Sequence, residues 1–312
     1  MKIKNLYLNG MYPAIHGMRN AYDSWDKSDT LIVERAPMTV SSLRVMNPEP
    51  SESTTPFTKS IHSDVIDYDN FDSINTIYFT KNEEMKEFNP TIVKHPNFER
   101  ACYKIKKIES KEDKYAYIDE TLNKDYYITC DLPILIGKND IKLARKLIKG
   151  GPVHSKFERM IVLYMDLTAS FDFWKEYDTY KVGTVANSCS TMHTITRKPL
   201  TIENFSTYDL TEKDIEFMKK NIEYYNEILN DPNVSTLEKT RRLSKLNMVG
   251  FEQMRTIEFN YCNIASIMRW RPNHTLQEWR NLCIFLRKLP YFEILYGDKY
   301  KEELEEENAS TN

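Results

Sequence analysis

"NDIKLARKLIKGGPVHSKFERMIVLYMDL", residues 139–167, carries in one run the two patterns that decide the fold class. Its first half places Ile141, Leu143, Ala144, Leu147 and Ile148 at helical spacing, after an Asn139/Asp140 start and before a Gly150-Gly151 stop. Polar side chains suit the open N–H groups at a helix start, and glycine suits the exit, so a helix is predicted over 139–151. Its second half, "MIVLYMDL" at 160–167, is apolar enough for a strand at the centre of a sheet.

Working outward, the upstream runs "LIVE" (31–34) and "NTIYFT" (75–80) read as short strands. "NPEPSESTTPFTKS" (47–60) is polar, bears prolines and reads as an exposed loop, and "DYYITCDLPILIG" (125–137) reads as a further buried strand. Downstream, "TASFDFWKEYDTYKVG" (168–183) reads as a helix opened by Thr168 or Ser170. The last third is predicted to be mostly helical. "LTEKDIEFMKKNIEYYNEILND" (210–231) opens on a Thr211/Asp214 capping box, and "STLEKTRRLSKL" (235–246) repeats the helical pattern. "TIEFNYCNIASIMRW" (256–270) and "HTLQEWRNLCIFLRKLP" (274–290), the latter with a Thr275/Glu278 box, complete it. The expectation is α/β architecture of the α+β type: a mostly antiparallel sheet flanked by helices, with a helical C-terminal part. Residues 1–125 are expected to form a strand-and-loop region of the same domain as a 126–298 core, with an acidic tail at 299–312.

Composition narrows the function. A length of 312 residues is ample for a core without staples, and 41% hydrophobic residues exclude a disordered chain. The net charge of -3 gives no overall basic footprint for nucleic acid. Cys102, Cys130, Cys189, Cys262 and Cys283 are odd in number and scattered, which predicts a reduced, cytoplasmic protein and no metal site. No apolar run reaches the length that spans a bilayer, so no membrane partner is expected. With only 8 glycines, neither GxGxxG nor GxxxxGK[ST] occurs; any nucleotide must be held by side chains and helix ends.

Two stretches concentrate polar chemistry. "NYCNIASIMRWRPNHTLQEWR" (260–280) would place Asn260, Asn263 and Ile267 on one helix face, with Arg269 and Arg271 at its end and Arg280 in the next helix. Guanidinium forks beside free backbone N–H groups suit a phosphate; equally, these arginines could pair with the chain's carboxylates and cap helix ends. "YKVGTVANSCSTMH" (180–193) is dense in hydroxyls and reads as a polar turn. Cys189 and Ser190 lie four and three residues from His193, a nucleophile-and-base spacing if helical, but with no acidic partner in place for a hydrolase. His154, in "GGPVHSKFER", could cap the element beside it.

In order, these segments resemble the flavin-dependent thymidylate synthases over roughly residues 138–290. In that family Phe-Glu-His opens a strand after a helix, and "SKFERMIVLYMDL" is similar with Arg159 for the His. The family signature is Arg-His-Arg-x-x-Ser-x-Asn-x-x-Ser-x-Arg-Tyr. Laid on 180–193, Asn187 and Ser190 match, while Tyr180, Lys181, Val182, Val185, Met192 and His193 replace Arg, His, Arg, Ser, Arg and Tyr. Asn260, Arg271, His274, Glu278 and Arg280 stand at or near the places of the family's C-terminal segment.

The resemblance implies Ser190 near the pyrimidine ring, with Lys181, Asn187, Ser188, Arg271 and Arg280 on the nucleotide substrate. It implies Asn260 and His274 toward the flavin, and His154 and Asn263 are expected on the same cofactor side. It further implies FAD, methylenetetrahydrofolate as one-carbon donor, methylation of deoxyuridylate at C5, and a homotetramer with sites between subunits. A catalytically silent nucleotide-binding or assembly protein of the same fold is the alternative, motivated by the replaced signature arginines.

Overall fold

In the computed structural model, residues 1–33, 44–46, 58–60, 91–97, 101–107 and 122–297 are described. The 75–80 strand, residues 47–57 of the polar loop and the acidic tail lie outside the described residues. In chain order the strands are β1 (Lys2–Asn9), β2 (Leu31–Val33), β3 (Arg44–Met46), β4 (Thr58–Ser60), β5 (Thr91–Lys94), β6 (Ala101–Ile105), β7 (Tyr126–Cys130), β8 (Ile134–Leu135), β9 (Val162–Ser170), β10 (Thr184–Ser188) and β11 (Glu252–Asn260). The helices are α1 (Met11–Gly17), α2 (Lys138–Lys149), α3 (Phe171–Tyr177), α4 (Thr191–Thr194), α5 (Glu212–Asn230), α6 (Thr236–Leu246), α7 (Tyr261–Trp270), α8 (Gln277–Arg287) and α9 (Phe292–Tyr296).

Seven strands form one sheet in the order β10-β11-β9-β1-β7-β6-β5, and β4-β3-β2-β8 form a second. In the large sheet β1 and β7 run parallel and every other neighbouring pair is antiparallel. The α+β architecture with a mostly antiparallel sheet is therefore observed. β9 lies inside the large sheet, as its apolar run requires. Leu163, Met165, Leu167 and Ala169 alternate into the core, where Ile257 and Phe259 of β11 join them. The opposite face carries Tyr164, Asp166, Thr256 and Glu258, which are partly or wholly exposed. Two-residue alternation thus puts apolar groups on one side and polar groups on the other.

Several elements differ from the sequence-based expectation, each for a local reason. The 125–137 run is two strands in different sheets, β7 and β8, separated by a bend that ends at Pro133, which cannot donate to a ladder. The predicted 168–183 helix is shorter, because β9 continues through Ser170 while Thr168 and Ala169 still pair with β11. The 256–270 run, expected to be helical throughout, is strand up to Asn260 and helix from Tyr261. Residues 184–188, read as a turn, form an edge strand paired with β11. Residues 58–60, read as loop, are β4. The Thr275/Glu278 box is absent: α8 starts at Gln277 after Leu276. Glu278 instead accepts from the backbone N (2.9 Å) and hydroxyl (2.5 Å) of Ser170.

α2 is started by a partner remote in sequence rather than by Asn139. The Asp29 carboxylate accepts from the N–H groups of Asn139 (2.9 Å) and Asp140 (3.2 Å). Asp140, fully buried, pairs with Arg19 at 2.5 Å and accepts from the hydroxyls of Ser28 and Thr30, both at 2.6 Å. A buried ion pair is tolerated where such extra hydrogen bonds fill its remaining lone pairs.

Two hydrophobic cores result. The main one packs the apolar sheet face against α2, α3, α7 and α8, and includes Trp174, Trp279, Tyr261 and Phe285. The second packs Ile195, Leu200 and Phe205 against Met218, Ile222 and Tyr225 of α5 and Leu243 of α6. It belongs to residues 189–251, the connection between the paired strands β10 and β11. The Thr211/Asp214 capping box of α5 forms as predicted, and α6 is capped by the Ser235 side chain. Among the described residues, no helix is long and apolar enough to cross a membrane.

Glu158 makes stability depend on pH. It is 5% exposed, and burial raises its carboxyl to about 7 against opposing hydrogen bonds from Tyr296 and Ser155 and the charge of Arg159. A carboxyl with a raised folded pKa keeps its proton longer in the folded state. Its contribution is fully present below the ordinary value of 4.5 and is lost as pH rises through about 7. A shift of this size corresponds to about 3 kcal/mol. In urea melts, Glu158→Gln is expected to lose less stability than the parent chain between mildly acidic and neutral pH. Parallel curves for the two proteins would remove Glu158 as the cause.

Candidate functional site

The corner where β10 begins, β11 ends and α7 starts brings the two polar stretches together. Asn260 is the last residue of β11 and the N-cap of α7, not a residue within a helix. Its Oδ1 accepts from the Asn263 N–H (3.0 Å), and the Asn263 Oδ1 accepts from the Asn260 N–H (3.2 Å). The Asn263 Nδ2 donates to the Val182 carbonyl at 2.7 Å, holding the turn that leads into β10. Gly183 allows that approach. Its φ is +75, in the left-handed region that residues with a side chain rarely adopt, and a Cβ there would meet the Asn260 Nδ2 at 3.2 Å.

Arg271, at the C-cap of α7, ties the same turn from the other side. Its Nε donates to the Tyr180 hydroxyl at 2.8 Å, and it pairs with Glu176 of α3 at 2.9 Å. The guanidinium also lies over the rings of Trp279 (4.9 Å) and Tyr180 (5.5 Å). Burial disfavours the Arg271 charge, but Tyr180 and Glu176 more than offset it, and its pKa is raised. His274 is shifted the other way, downward from 6.5, by burial first and then by Arg271, outweighing Glu176. Its Nδ1 accepts from the Leu276 N–H at 3.1 Å, as a neutral ring can. Arg280 is engaged within its own helix entrance, donating to the carbonyls of His274 (2.6 Å) and Thr275 (2.9 Å) and to Gln277.

β10 carries the remaining aligned residues away from this corner. Lys181 is exposed in the turn, and Asn187, Ser188, Cys189 and Ser190 are exposed along and just beyond the edge strand. Register places Thr184 opposite Phe259 and Ser188 opposite Arg255. At strand rise, about 13 Å separates the two ends of β10. Ser190 therefore lies at the far end from Arg271. It is the N-cap of α4, beside Thr191, whose hydroxyl accepts from Gln253 at 3.3 Å. Cys189 and His193 are both exposed, and among the described residues no hydrogen bond joins them. His154 is exposed in the turn after α2, its N–H donating to the Gly151 carbonyl at 2.9 Å.

The corner thus gathers Asn260, Asn263, Arg271, His274 and Arg280 with the 180–183 turn, while Asn187, Ser188 and Ser190 lie apart from it, exposed along and just beyond the edge strand. Glu176 and Trp279 are corner residues that the sequence reading did not single out, and Tyr180 was read only as a replacement for a signature arginine. Their signal was weak: an aromatic and acidic helix resembles ordinary core and surface, and Tyr180 meets Arg271 across 91 positions. Exposed amides and hydroxyls suit a base, a sugar or the polar edge of a flavin ring. For phosphates, Lys181 offers a charge without the planar fork of arginine, and Arg271 is already paired. Among the described residues, no group of three or more His, Cys, Asp or Glu is placed to hold a metal.

No family model and no curated protein matches the chain. Among solved structures, it is similar to Thymidylate Synthase X from Helicobacter pylori with FAD and dUMP, at 16% identity and a TM-score of 0.45, over 53% of this chain and 85% of that one. A second structure of the flavin-dependent thymidylate synthase from Helicobacter pylori, complexed with FAD and dUMP, gives 17% identity and a TM-score of 0.44, over 52% of this chain and 84% of that one. Each of these likenesses spans about half of the chain.

Asn263 has two separable jobs, as acceptor for the Asn260 N–H and as donor to Val182. Asn263→Ala is expected to cost about 1–2 kcal/mol in denaturant melts, the range for losing a cap. Asn263→Asp keeps the acceptor and loses the donor, so its loss should be smaller. Equal losses in the two variants would show that the cap contributes little.

Proposed function

We propose that this chain is a flavin-dependent thymidylate synthase-like protein that binds a pyrimidine deoxynucleotide and FAD along the exposed edge of β10. On this reading it transfers a one-carbon unit from methylenetetrahydrofolate to C5 of the base. The observation that carries the proposal is the join between the aligned stretches: the 180–183 turn is bonded to α7 through Asn263 and Arg271. Two segments that resemble one family in order therefore also form one corner, open to solvent at Lys181, from which β10 carries the exposed Asn187, Ser188 and Ser190 outward. Asn187 and Ser188 supply an amide and a hydroxyl to the base or sugar, Ser190 lies toward the pyrimidine ring, and Lys181 meets a phosphate. His274, Asn260 and Asn263 border the flavin side, with Arg280 fixing the carbonyl of His274 in place. Because Ser190 and Arg271 stand at opposite ends of β10, we infer that a second copy of the chain completes the site, in a homo-oligomer of the tetramer type. The proposed unit is the 126–298 core, with residues 1–125 in the same domain and a cytoplasmic setting.

FAD added to the purified chain is expected to bind saturably, with a perturbed flavin spectrum, and deoxyuridylate to bind in its presence. Lys181→Ala should weaken the nucleotide by about tenfold, the scale of one lost charged hydrogen bond. An absence of saturable binding of either ligand by the oligomer would reject the proposal.

A second reading is favoured by one feature of the corner: the Arg271 guanidinium is satisfied by Glu176 and Tyr180. On that reading the chain binds a nucleotide or assembles with its copies but does not catalyse. Labelled deoxyuridylate supplied with reduced flavin and methylenetetrahydrofolate separates the two. Methylation that disappears in Ser190→Ala supports the enzyme; nucleotide binding without turnover supports the silent protein.

A further inference from the structure

The second core holds a cleft that the β10 edge does not involve. It lies between α5, α6 and the 200–205 segment and encloses about 360 Å3 of empty space, its open mouth included. Leu200, Phe205 and Met248 give it apolar walls, and Tyr224 stands at it with half of its surface exposed. Asn247 and Tyr225 also line it. Both polar atoms of the Asn247 amide and the Tyr225 hydroxyl are buried without a hydrogen-bond partner. Tyr225 as a whole is only 5% exposed.

Buried amides and phenols are ordinarily bonded, and the amides of Asn221 and Asn226 on neighbouring α5 are. Asn226 donates to and accepts from the backbone of Leu200 at 2.9 and 2.8 Å, and Asn221 donates to the Phe217 carbonyl at 3.1 Å. Asn247 is the exception among them, and it lines the cleft. A primary amide presents a donor and an acceptor side by side, which is the complement of an N–H next to a carbonyl. The Tyr225 hydroxyl adds a third polar contact, and burial holds its proton on by raising its pKa. Among the described residues, no Lys, Arg, Asp, Glu or His lines the cleft, so none of them would compensate a charged ligand.

We propose that this cleft binds a small, uncharged, planar ring that carries an N–H beside a carbonyl, as a nucleobase does, with Asn247 reading that edge and Tyr225 supplying a third hydrogen bond. The ring packs between the apolar walls and Tyr224. The proposal is independent of nucleotide binding at β10, and its test uses ligands without phosphate.

The full chain is titrated calorimetrically with uracil, with uridine and with toluene, which has the ring but no polar edge. Uracil is expected to bind saturably with one site per chain. Uridine binding as well means that the cleft accepts a base carrying its sugar; uridine failing to bind means that it takes the free base. Both outcomes support the proposal. Asn247→Leu should weaken uracil by about tenfold or more, and Tyr225→Phe, which removes a single oxygen, by a smaller factor. Thermal melts check that both variants fold. Tyr225→Phe provides the test on its own if Asn247→Leu does not. Toluene binding as tightly as uracil, no saturable uracil binding, or affinities unchanged in the folded variants would overturn the proposal. So would a crystal structure grown with uracil in which Asn247 and Tyr225 bond only to water.

Discussion

The reciprocal hydrogen bonds of Asn260 and Asn263 are the constraint on which the candidate site depends. Without them β11 would have no defined end and α7 no defined start. The bond from Asn263 to Val182 then sets where the chain enters β10. Arg271 repeats that link from the far end of α7, a helix of 10 residues, by holding Tyr180. One short helix therefore grips the 180–183 turn at both of its ends. The direction of the edge strand, and with it the placement of every exposed group from Lys181 to Ser190, follows from that grip.

The connection between β10 and β11 explains how so polar an edge is kept in register. Residues 189–251 could be a slack loop, yet they contain α5, α6 and a core of their own. That unit is fastened back to the sheet by the N–H groups of Phe171 and Asp172, which donate to the carbonyls of Phe251 and Val249 at 3.1 and 3.3 Å. Phe205 pairs with Phe251 as an isolated bridge, their rings 5.6 Å apart. β10 is thus held by β11 along its length and by packed structure beyond its end, while among the described residues no strand pairs with its outer edge. An open polar edge is where a second chain or a ligand can supply the missing partners.

Much of the fold was legible because its signals are local. The α2 pattern, the apolar run of β9 and the capping box at Thr211 each depend on residues within a few positions. The failures share a different cause. Asp29 caps α2 from more than a hundred residues away, and Glu278 bonds Ser170 instead of capping its own helix. Similarly, 256–260 became strand because β9 and β10 offered it two ladders, which outweigh helical spacing in an apolar run. The site was legible as residue types but not as geometry: Asn260 and Asn263 were expected to meet and do, through a cap rather than along a helix face. What occupies Arg271 could not be read, since Glu176 and Tyr180 come from another element.

A crystal structure of the chain grown with deoxyuridylate and FAD tests the central claim most directly. The account predicts the nucleotide at the outer edge of β10, its base near Asn187 and Ser190 and its phosphate near Lys181, with a second copy of the chain closing the site. Both ligands bound elsewhere, or a β10 edge covered by another copy with no room for a nucleotide, would contradict it.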